Sequence, residues 1–178
     1  MNINKRDVLI RRIETGDFAA IECIEEDSNF DDSMIVEELN PMFNEHSDLV
    51  EYIGWVAEYN GDIQGYLIAF KIRSIPYLTA VARCNVKLDA QRNGIGSLLM
   101  KKVEPKKAGL KTTIECDDEQ YGALNFLGSL GYIVTQATEP EYDIDGEKEC
   151  AGYFVLSKEK RQVLELKNRL EMYPYHGE

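Results

Sequence analysis

The segment QRNGIGSLLMKKVE, Gln91 to Glu104, decides the fold, because two glycines stand at the start of a helical pattern. The apolar residues of this segment share one helical face, and they are Ile95, Leu98, Leu99 and Val103. Glycine weakens a helix interior by roughly 0.5–1 kcal/mol relative to alanine, so Gly94 and Gly96 need another explanation. The first N–H groups of a helix lack intrahelical partners and lie at the positive end of its dipole. A bare backbone at this point is therefore predicted to bind a phosphate group.

Two common phosphate-binding motifs are excluded by the residues around these glycines. The pattern GxxxxGK[ST] requires a lysine that does not follow them at the right spacing. The dinucleotide pattern GxGxxG requires a third glycine where Leu99 stands. The pattern that remains is Gln91-x-x-Gly94-x-Gly96, which lies between a predicted strand and a predicted helix.

The rest of the chain predicts a mixed α/β fold with a mostly antiparallel central sheet. The elements expected before the glycine segment are a strand at 7–13, helices at 18–27 and 32–39, and strands at 55–59, 63–72 and 78–89. The elements expected after it are strands at 110–117, 133–142 and 149–156, and helices at 119–132 and from about 158 onward. The helix of the glycine segment forms a β-α-β crossover, the connection that parallel strands require.

Short turn signals indicate where strands pair. Asn60-Gly61 lies between two apolar runs, which is typical of a two-residue hairpin turn whose residues both take positive φ. Gly65, inside the following strand, is predicted to mark a bulge. Asp145-Gly146 is a second candidate turn.

Composition excludes several classes of partner. The chain has 178 residues, 44% hydrophobic and 29% charged, which fits one soluble globular domain. Its net charge of −12 argues against a nucleic-acid partner. No apolar run has the length of a membrane span, and the first residues lack a signal-peptide core, so a cytoplasmic location is expected. The four cysteines form no CxxC pair and are accompanied by two histidines, so no metal site is expected.

The glycine motif and its surroundings resemble the GNAT superfamily of acetyl-CoA-dependent N-acetyltransferases. In that family a QxxGxG loop follows the fourth strand, opens the third helix and binds the pyrophosphate of acetyl-CoA. The family's next motif, a fifth strand and a helix with an aromatic ending, resembles IECDDEQYGALNFLGSLGY at 114–132. The resemblance implies a GNAT-like acyl-CoA N-acyltransferase fold over residues 1–157, followed by a C-terminal helical extension over 158–178.

The resemblance also implies which residues contact acetyl-CoA, which lies between splayed fourth and fifth strands in the family. The implied contacts are Cys84, Asn85, Val86, Arg92, Asn93, Gly94, Ile95, Gly96, Ser97 and Gln120. The backbone N–H of Val86 is implied to polarise the thioester carbonyl. Glu115 is implied to be the general base that deprotonates the amine, and its alternative reading is a plain exposed strand residue.

The chain departs from the family at Leu127, where a tyrosine often donates a proton to the departing thiolate. Leucine cannot donate a proton, so another group or water serves, or the acid is dispensable. The implied function is transfer of an acetyl group to a primary amine by direct attack. The alternative is an acetyl-CoA-binding module or sensor without efficient catalysis.

Two acidic stretches lie where the family builds its acceptor pocket. Residues 25–38 carry seven acidic residues and no lysine or arginine, and residues 139–149 carry six acidic residues and one lysine. Two such rims would concentrate a cationic amine, although acidic loops also serve solubility alone. In the extension, Val163, Leu166 and Leu170 form an apolar stripe that predicts burial against the chain's own sheet or in a homodimer.

Overall fold

The structure is a computed structural model that describes residues 3–27, 49–117, 120–139, 141–142, 148–150 and 153–159. Its strands are β1 Leu9–Arg12, β2 Val50–Tyr59, β3 Asp62–Ile72, β4 Leu78–Val86, β5 Lys111–Asp117, β6 Ile133–Ala137, β7 Glu141–Tyr142, β8 Lys148–Cys150 and β9 Tyr153–Glu159. Its α-helices are α1 Phe18–Glu26, α2 Ile95–Met100 and α3 Tyr121–Ser129. Of these helices, none has the length and apolar character needed to cross a membrane.

A seven-stranded sheet in the order β1-β2-β3-β4-β5-β9-β6 forms the centre of the protein. Adjacent strands of this sheet pair antiparallel, except for β4 and β5, which are parallel and are joined through α2. The predicted mixed, mostly antiparallel α/β sheet with one crossover is thus confirmed. The strand expected over 133–142 is divided into β6 and β7, and Pro140 lies in the sequence between them, where it cannot donate a ladder hydrogen bond.

The β2–β3 hairpin forms at the predicted turn. Asn60 and Gly61 take φ values of 54° and 87°, and Tyr59 pairs with Asp62. The β2–β3 register shifts so that Gln64 is an extra residue on β3, which places the predicted bulge beside Gly65. A Cβ on Gly65 would lie 2.7 Å from the carbonyl oxygen of Asn85, so a bare backbone is required where β3 meets β4.

Helices cover both faces of the sheet. On one face α1 buries Phe18, Ile21 and Ile24 in a cluster with Tyr66 and Ile68 of β3. On the other face a larger cluster buries Ile95 and Leu99 of α2 and Leu127 of α3 against Leu67 and Ala69 of β3. Successive side chains of β3 point to opposite faces of the sheet, so this one strand packs against the helices on both faces.

The parallel pair is hydrogen-bonded over only part of its length. The register of β4 and β5 runs from Leu78 opposite Lys111 to Val81 opposite Ile114 and then ends. The β3–β4 register shifts at the same level and leaves Ala82 as an extra residue on β4. A bulge bends its strand, so β4 and β5 part beyond this point.

Three sequence predictions fall on residues that the structure does not describe. They are the helix at 32–39, the Asp145-Gly146 turn and the helical extension after residue 159. The domain division at 157 and 158 and the burial of the apolar stripe stay predictions.

Candidate active site

A cavity of about 400 Å³ opens where β4 and β5 part. Its wall takes residues from α1, β4, β5 and α3, among them Glu25, Cys84, Asn85, Glu115, Gln120, Phe126 and Leu127. The size falls within the range of small-molecule sites. Four of the residues predicted from the sequence, Cys84, Asn85, Glu115 and Gln120, are thus brought to one cavity.

Glu25 is the central charged group of this cavity, although it lies on α1. Its side chain is 2% exposed. Arg83 Nη1 donates to Glu25 Oε2 at 2.8 Å, Asn85 Nδ2 donates to Oε1 at 3.1 Å, and the Tyr66 hydroxyl also donates to Oε1. Three donors therefore hold a buried carboxylate in one orientation, as a buried charge requires.

Tyr66 stays a phenol in this arrangement. Burial and the hydrogen bond to Glu25 raise its pKa well above the ordinary value. Its proton remains on the oxygen that faces Glu25, so Tyr66 positions that carboxylate and carries no charge at neutral pH.

The end of β4 presents a backbone donor that Asn85 covers. The N–H of Val86 donates to Asn85 Oδ1 at 3.0 Å, while the amide nitrogen of the same side chain donates to Glu25. Asn85 thereby links the buried carboxylate to the N–H group implied to polarise a carbonyl. A carbonyl oxygen that binds Val86 N–H takes the place of the Asn85 oxygen.

The turn between β4 and α2 is fixed by side chains of its own motif. Gln91 Nε2 donates to the carbonyl oxygen of Val86 at 3.1 Å. Asn93 Nδ2 donates to the carbonyl oxygens of Ala90 and Gln91, each at 3.1 Å, and Asn93 Oδ1 accepts from the N–H of Ile3 at 3.1 Å. These bonds connect the turn directly to the end of the strand that lines the cavity.

The two glycines of the motif have different roles. Gly94 caps α2 with φ of 78°, a left-handed conformation that favours glycine, and Arg92 also takes a positive φ of 62°. A Cβ on Gly94 would overlap the end of the Lys5 side chain, which brings an ammonium group beside the turn. A Cβ on Gly96 would instead lie 3.1 Å from the ring of Phe126, so this glycine lets α2 approach α3.

These features fit acetyl-CoA. A slot between two strands offers room for an extended arm, and Phe126 lines that slot while it packs against Gly96 in the turn. The turn supplies the first N–H groups of a helix and a neighbouring cation from Lys5, both of which favour a pyrophosphate.

The proton-transfer groups of the cavity are few. Glu115 is exposed on the wall, Leu127 is 2% exposed, and among the described residues no tyrosine lines the cavity. Burial raises the pKa of the Cys84 thiol to about 12, which favours the protonated thiol over the nucleophilic thiolate at neutral pH. Within the described ranges, no three His, Cys, Asp or Glu side chains gather as a metal site.

Sequence reasoning missed Arg83 and the role of Glu25. Helical spacing could have found Glu25, because it falls on the face of α1 that carries Phe18 and Ile21 and an acid on an apolar face is unusual. Arg83 carries no such signal. It is a single charged residue at a partly exposed position of β4, and its partner Glu25 is 58 residues away in the sequence.

Comparison with solved structures shows the same fold in many acetyltransferases. The ribosomal-protein-S18-alanine N-acetyltransferase from Escherichia coli superposes with a TM-score of 0.67 at 19% identity, covering 88% of this chain and 96% of that one. An N-acetyltransferase from Staphylococcus aureus superposes with a TM-score of 0.63 at 16% identity, covering 85% of this chain and 98% of that one. Ard1 from Thermoplasma volcanium superposes with a TM-score of 0.63 at 15% identity, covering 88% of this chain and 99% of that one. Among curated protein sequences, none matches significantly.

These neighbours show the fold of the chain, and a family profile shows its class. The family profile described as "Acetyltransferase (GNAT) family" matches residues 18–132, more than half of the chain. The protein therefore belongs to the GNAT family, whose acyl donor is acetyl-CoA. The fold expected from the QxxGxG motif is thereby confirmed.

Proposed function

We propose that the protein transfers the acetyl group of acetyl-CoA to a primary amine by direct attack. The observation that carries this proposal is the cavity at the parted ends of β4 and β5, which Phe126 connects to Gly96 of the glycine turn. Acetyl-CoA supplies an activated acyl group there, and the chain supplies binding, orientation and proton transfer.

Donor binding is divided between the turn and the strand. The backbone of Arg92–Ser97 binds the pyrophosphate, and Lys5 adds a cation that the motif does not contain. Cys84, Asn85 and Val86 bind the pantetheine arm along β4, with Gln120 on the opposite wall. The side chain of Asn93 is committed to holding the turn, so its contribution is through the backbone.

The N–H of Val86 polarises the carbonyl under attack. Its bond to Asn85 Oδ1 is exchanged for a bond to that carbonyl oxygen, where charge develops as the amine attacks. Glu25, which itself accepts from Arg83, also accepts from the Asn85 amide, so the exchange leaves Asn85 anchored.

Glu115 is the general base. It lines the cavity and is exposed, so it can take the proton of an incoming amine directly or through water. Glu25 is less suited to this role because Arg83, Asn85 and Tyr66 already donate to both of its oxygens.

The acceptor proposed here is a cationic amine. The net charge of −12 and the two acidic stretches support it. Of the first stretch, Glu25 is buried in an ion pair, whereas Glu26 and Asp27 are exposed at the end of α1. The cytoplasmic location and the homodimer stay predictions.

The test measures coenzyme A release and acetylated product with amines of different charge, including spermidine, a lysine-rich peptide and a neutral amine. We expect product formation, with the cationic amines favoured at low salt and less so at high salt. Equal rates for all amines at low salt would refute the cationic acceptor while leaving the transferase itself intact.

A matched pair of variants tests the base. Glu115→Gln is expected to lower kcat about 100-fold or more near neutral pH, and the deficit should shrink at higher pH, where the amine deprotonates without help. Glu51→Gln removes an exposed carboxylate from β2, outside the cavity wall, and should leave kcat within twofold. A Glu115→Gln enzyme with normal kcat would exclude this residue as the base.

The second candidate is an acetyl-CoA-binding module or sensor without efficient catalysis. It is favoured by the buried leucine at position 127 and by a described cavity wall without tyrosine. Calorimetry with acetyl-CoA beside the amine panel separates the two functions. Tight binding with no transfer to any amine would support the module.

A further inference from the structure

A second cavity, of about 470 Å³, lies at the opposite end of β4 and β5. It is bounded by the start of both strands and by the segment that follows α2. We call it the basic groove because six of its lining side chains are cationic, namely Arg12, Lys71, Lys102, Lys106, Lys107 and Lys111. The glycine turn lies at the other end of β4, so the basic groove is separate from the acetyl-CoA site.

This concentration of positive charge runs against the composition of the protein. The chain carries 20 lysines and arginines against 32 acidic residues, yet six of the 20 line one groove. Glu104 is the single acidic residue of the described lining, and Lys158 already pairs with it at 2.6 Å. Lys111 lies 3.9 Å from Glu159, but the groove still gathers more cations than acids. Like charges held together repel each other, so the groove favours an anion that compensates them.

An indole forms one wall of the basic groove. The Arg12 guanidinium carbon lies 4.3 Å from the Trp55 ring centroid and the Lys102 ammonium lies 4.9 Å from it, so both cations pack on the ring. The Trp55 N–H is buried without a hydrogen-bond partner among the described residues. Because this N–H is buried, the indole contributes its ring face to the groove and not its donor.

We propose that the basic groove binds a small polyanion that carries two or more phosphate groups. Its volume fits a small molecule. Five of the six cations are lysines, whose compact ammonium groups bind phosphate as point charges. A long polyanion such as nucleic acid would extend over a surface with a net charge of −12, which repels it.

The C-terminal segment of the sequence has no excess of acidic residues. Residues 160–178 contain four lysines and arginines against three glutamates, so their charge does not complement the groove. We propose a separate small molecule as the ligand, and its binding does not depend on the acetyltransferase function.

The single tryptophan of the chain makes the groove directly observable. Trp55 emission is measured while inorganic tripolyphosphate is added at constant ionic strength, with coenzyme A saturating so that the glycine turn is occupied. We expect a saturable change in emission, with orthophosphate binding at least tenfold more weakly. No saturable change, or a change that disappears when coenzyme A is present, would overturn the proposal.

Two double variants with equal loss of charge locate the binding. Lys102→Gln with Lys107→Gln removes two cations of the groove, and we expect tripolyphosphate to bind at least tenfold more weakly. Arg73→Gln with Lys101→Gln removes two exposed cations outside the groove lining, and binding should change less than twofold. Equal weakening in both would refute a defined site, because it would reflect net charge alone. Circular dichroism and coenzyme A affinity, expected to be unchanged, confirm that each variant is folded.

Discussion

β4 and β5 are paired at one end and parted at the other, and the two ends have different chemistry. At the paired end the backbones bond to each other from Val81 opposite Ile114 back to Leu78 opposite Lys111. At the parted end a cavity lies between the strands, with the Glu25 carboxylate on its wall. Backbone N–H and C=O groups need partners, so a parted pair is suited to a ligand that supplies them.

The difference assigns acetyl-CoA binding and catalysis to one end of this strand pair, the parted end. Changes at the parted end should alter catalysis and donor affinity, and they should also alter stability where they reach the buried Glu25 carboxylate. Changes at the paired end should leave catalysis and donor affinity unaltered. Variants at the two ends test this division.

Glu25→Gln should have the largest combined effect on stability and catalysis, because it replaces a buried carboxylate that accepts from Arg83, Asn85 and Tyr66. Glutamine replaces one carboxylate oxygen by an NH₂ group, which then faces side chains that had donated to that oxygen. We expect a loss of about 2–4 kcal/mol in the free energy of unfolding. Because Asn85 and the Val86 N–H shift with it, kcat/KM should fall about 100-fold. Chemical denaturation and steady-state kinetics measure the two effects.

The matched control for this variant is Glu26→Gln, which changes the next residue of α1. Glu26 is exposed, so the free energy of unfolding should stay within about 0.5 kcal/mol of the unchanged protein. If both variants behave alike, the buried network does not support the parted end.

Gly94→Ala should weaken donor binding by about tenfold. The residue caps α2 at φ of 78°, where a side chain costs about 1–2 kcal/mol, and its Cβ would displace Lys5 from the turn. Isothermal titration with coenzyme A measures the change. The control is Gly128→Ala, an exposed position in α3 where a Cβ meets nothing within 4 Å, so affinity should be unchanged there. Unchanged affinity in Gly94→Ala would show that the turn does not hold the pyrophosphate.

Local signals were sufficient to predict the main turns of this molecule. Asn60-Gly61 predicts its hairpin because the turn chemistry lies in two adjacent residues, and Gly94 and Gly96 predict the helix start for the same reason. The seven-stranded mixed sheet follows from these turns and one crossover.

The charged clusters could not be predicted in the same way, because their members meet only in the folded protein. Glu25 and Arg83 lie 58 positions apart, and the cations of the basic groove extend from Arg12 to Lys111. Periodicity places each residue on a face of its element but does not say which elements become neighbours. The two separate roles of Gly94 and Gly96 were hidden for this reason, since Phe126 and Lys5 are remote in sequence.

Thr112→Val tests the paired end, with a smaller effect that is confined to stability. The Thr112 hydroxyl is buried and donates to the carbonyl oxygen of Val103 at 2.6 Å. Loss of this bond should lower the free energy of unfolding by about 1 kcal/mol, while KM for acetyl-CoA stays within twofold. Thr113→Val, the next residue of β5, is only partly buried and should change stability less. A large increase in KM for Thr112→Val would mean that the two ends of the strand pair are coupled.

Cys84→Ser should have the smallest effect, and it tests whether the parted end holds a nucleophile. Burial raises the pKa of the Cys84 thiol from 9.0 to about 12, so between pH 7 and 9 the thiol is neutral and serine replaces it without a change of charge. We expect kcat to change less than twofold over this range, whereas a thiolate that carried the acetyl group would make the variant inactive.

The raised pKa of the Cys84 thiol also makes the free energy of unfolding depend on pH. Because the pKa is higher in the folded protein than in the unfolded chain, the protonated thiol contributes to the free energy of unfolding. This contribution is fully present below pH 9 and is lost as the pH rises towards 12. The difference in free energy of unfolding between wild type and Cys84→Ser should therefore be constant below pH 9 and shift against the wild type above it. Denaturation at pH 8 and pH 10.5 measures that shift, and an equal difference at both values would mean that the thiol ionises as readily in the folded protein as in the unfolded chain.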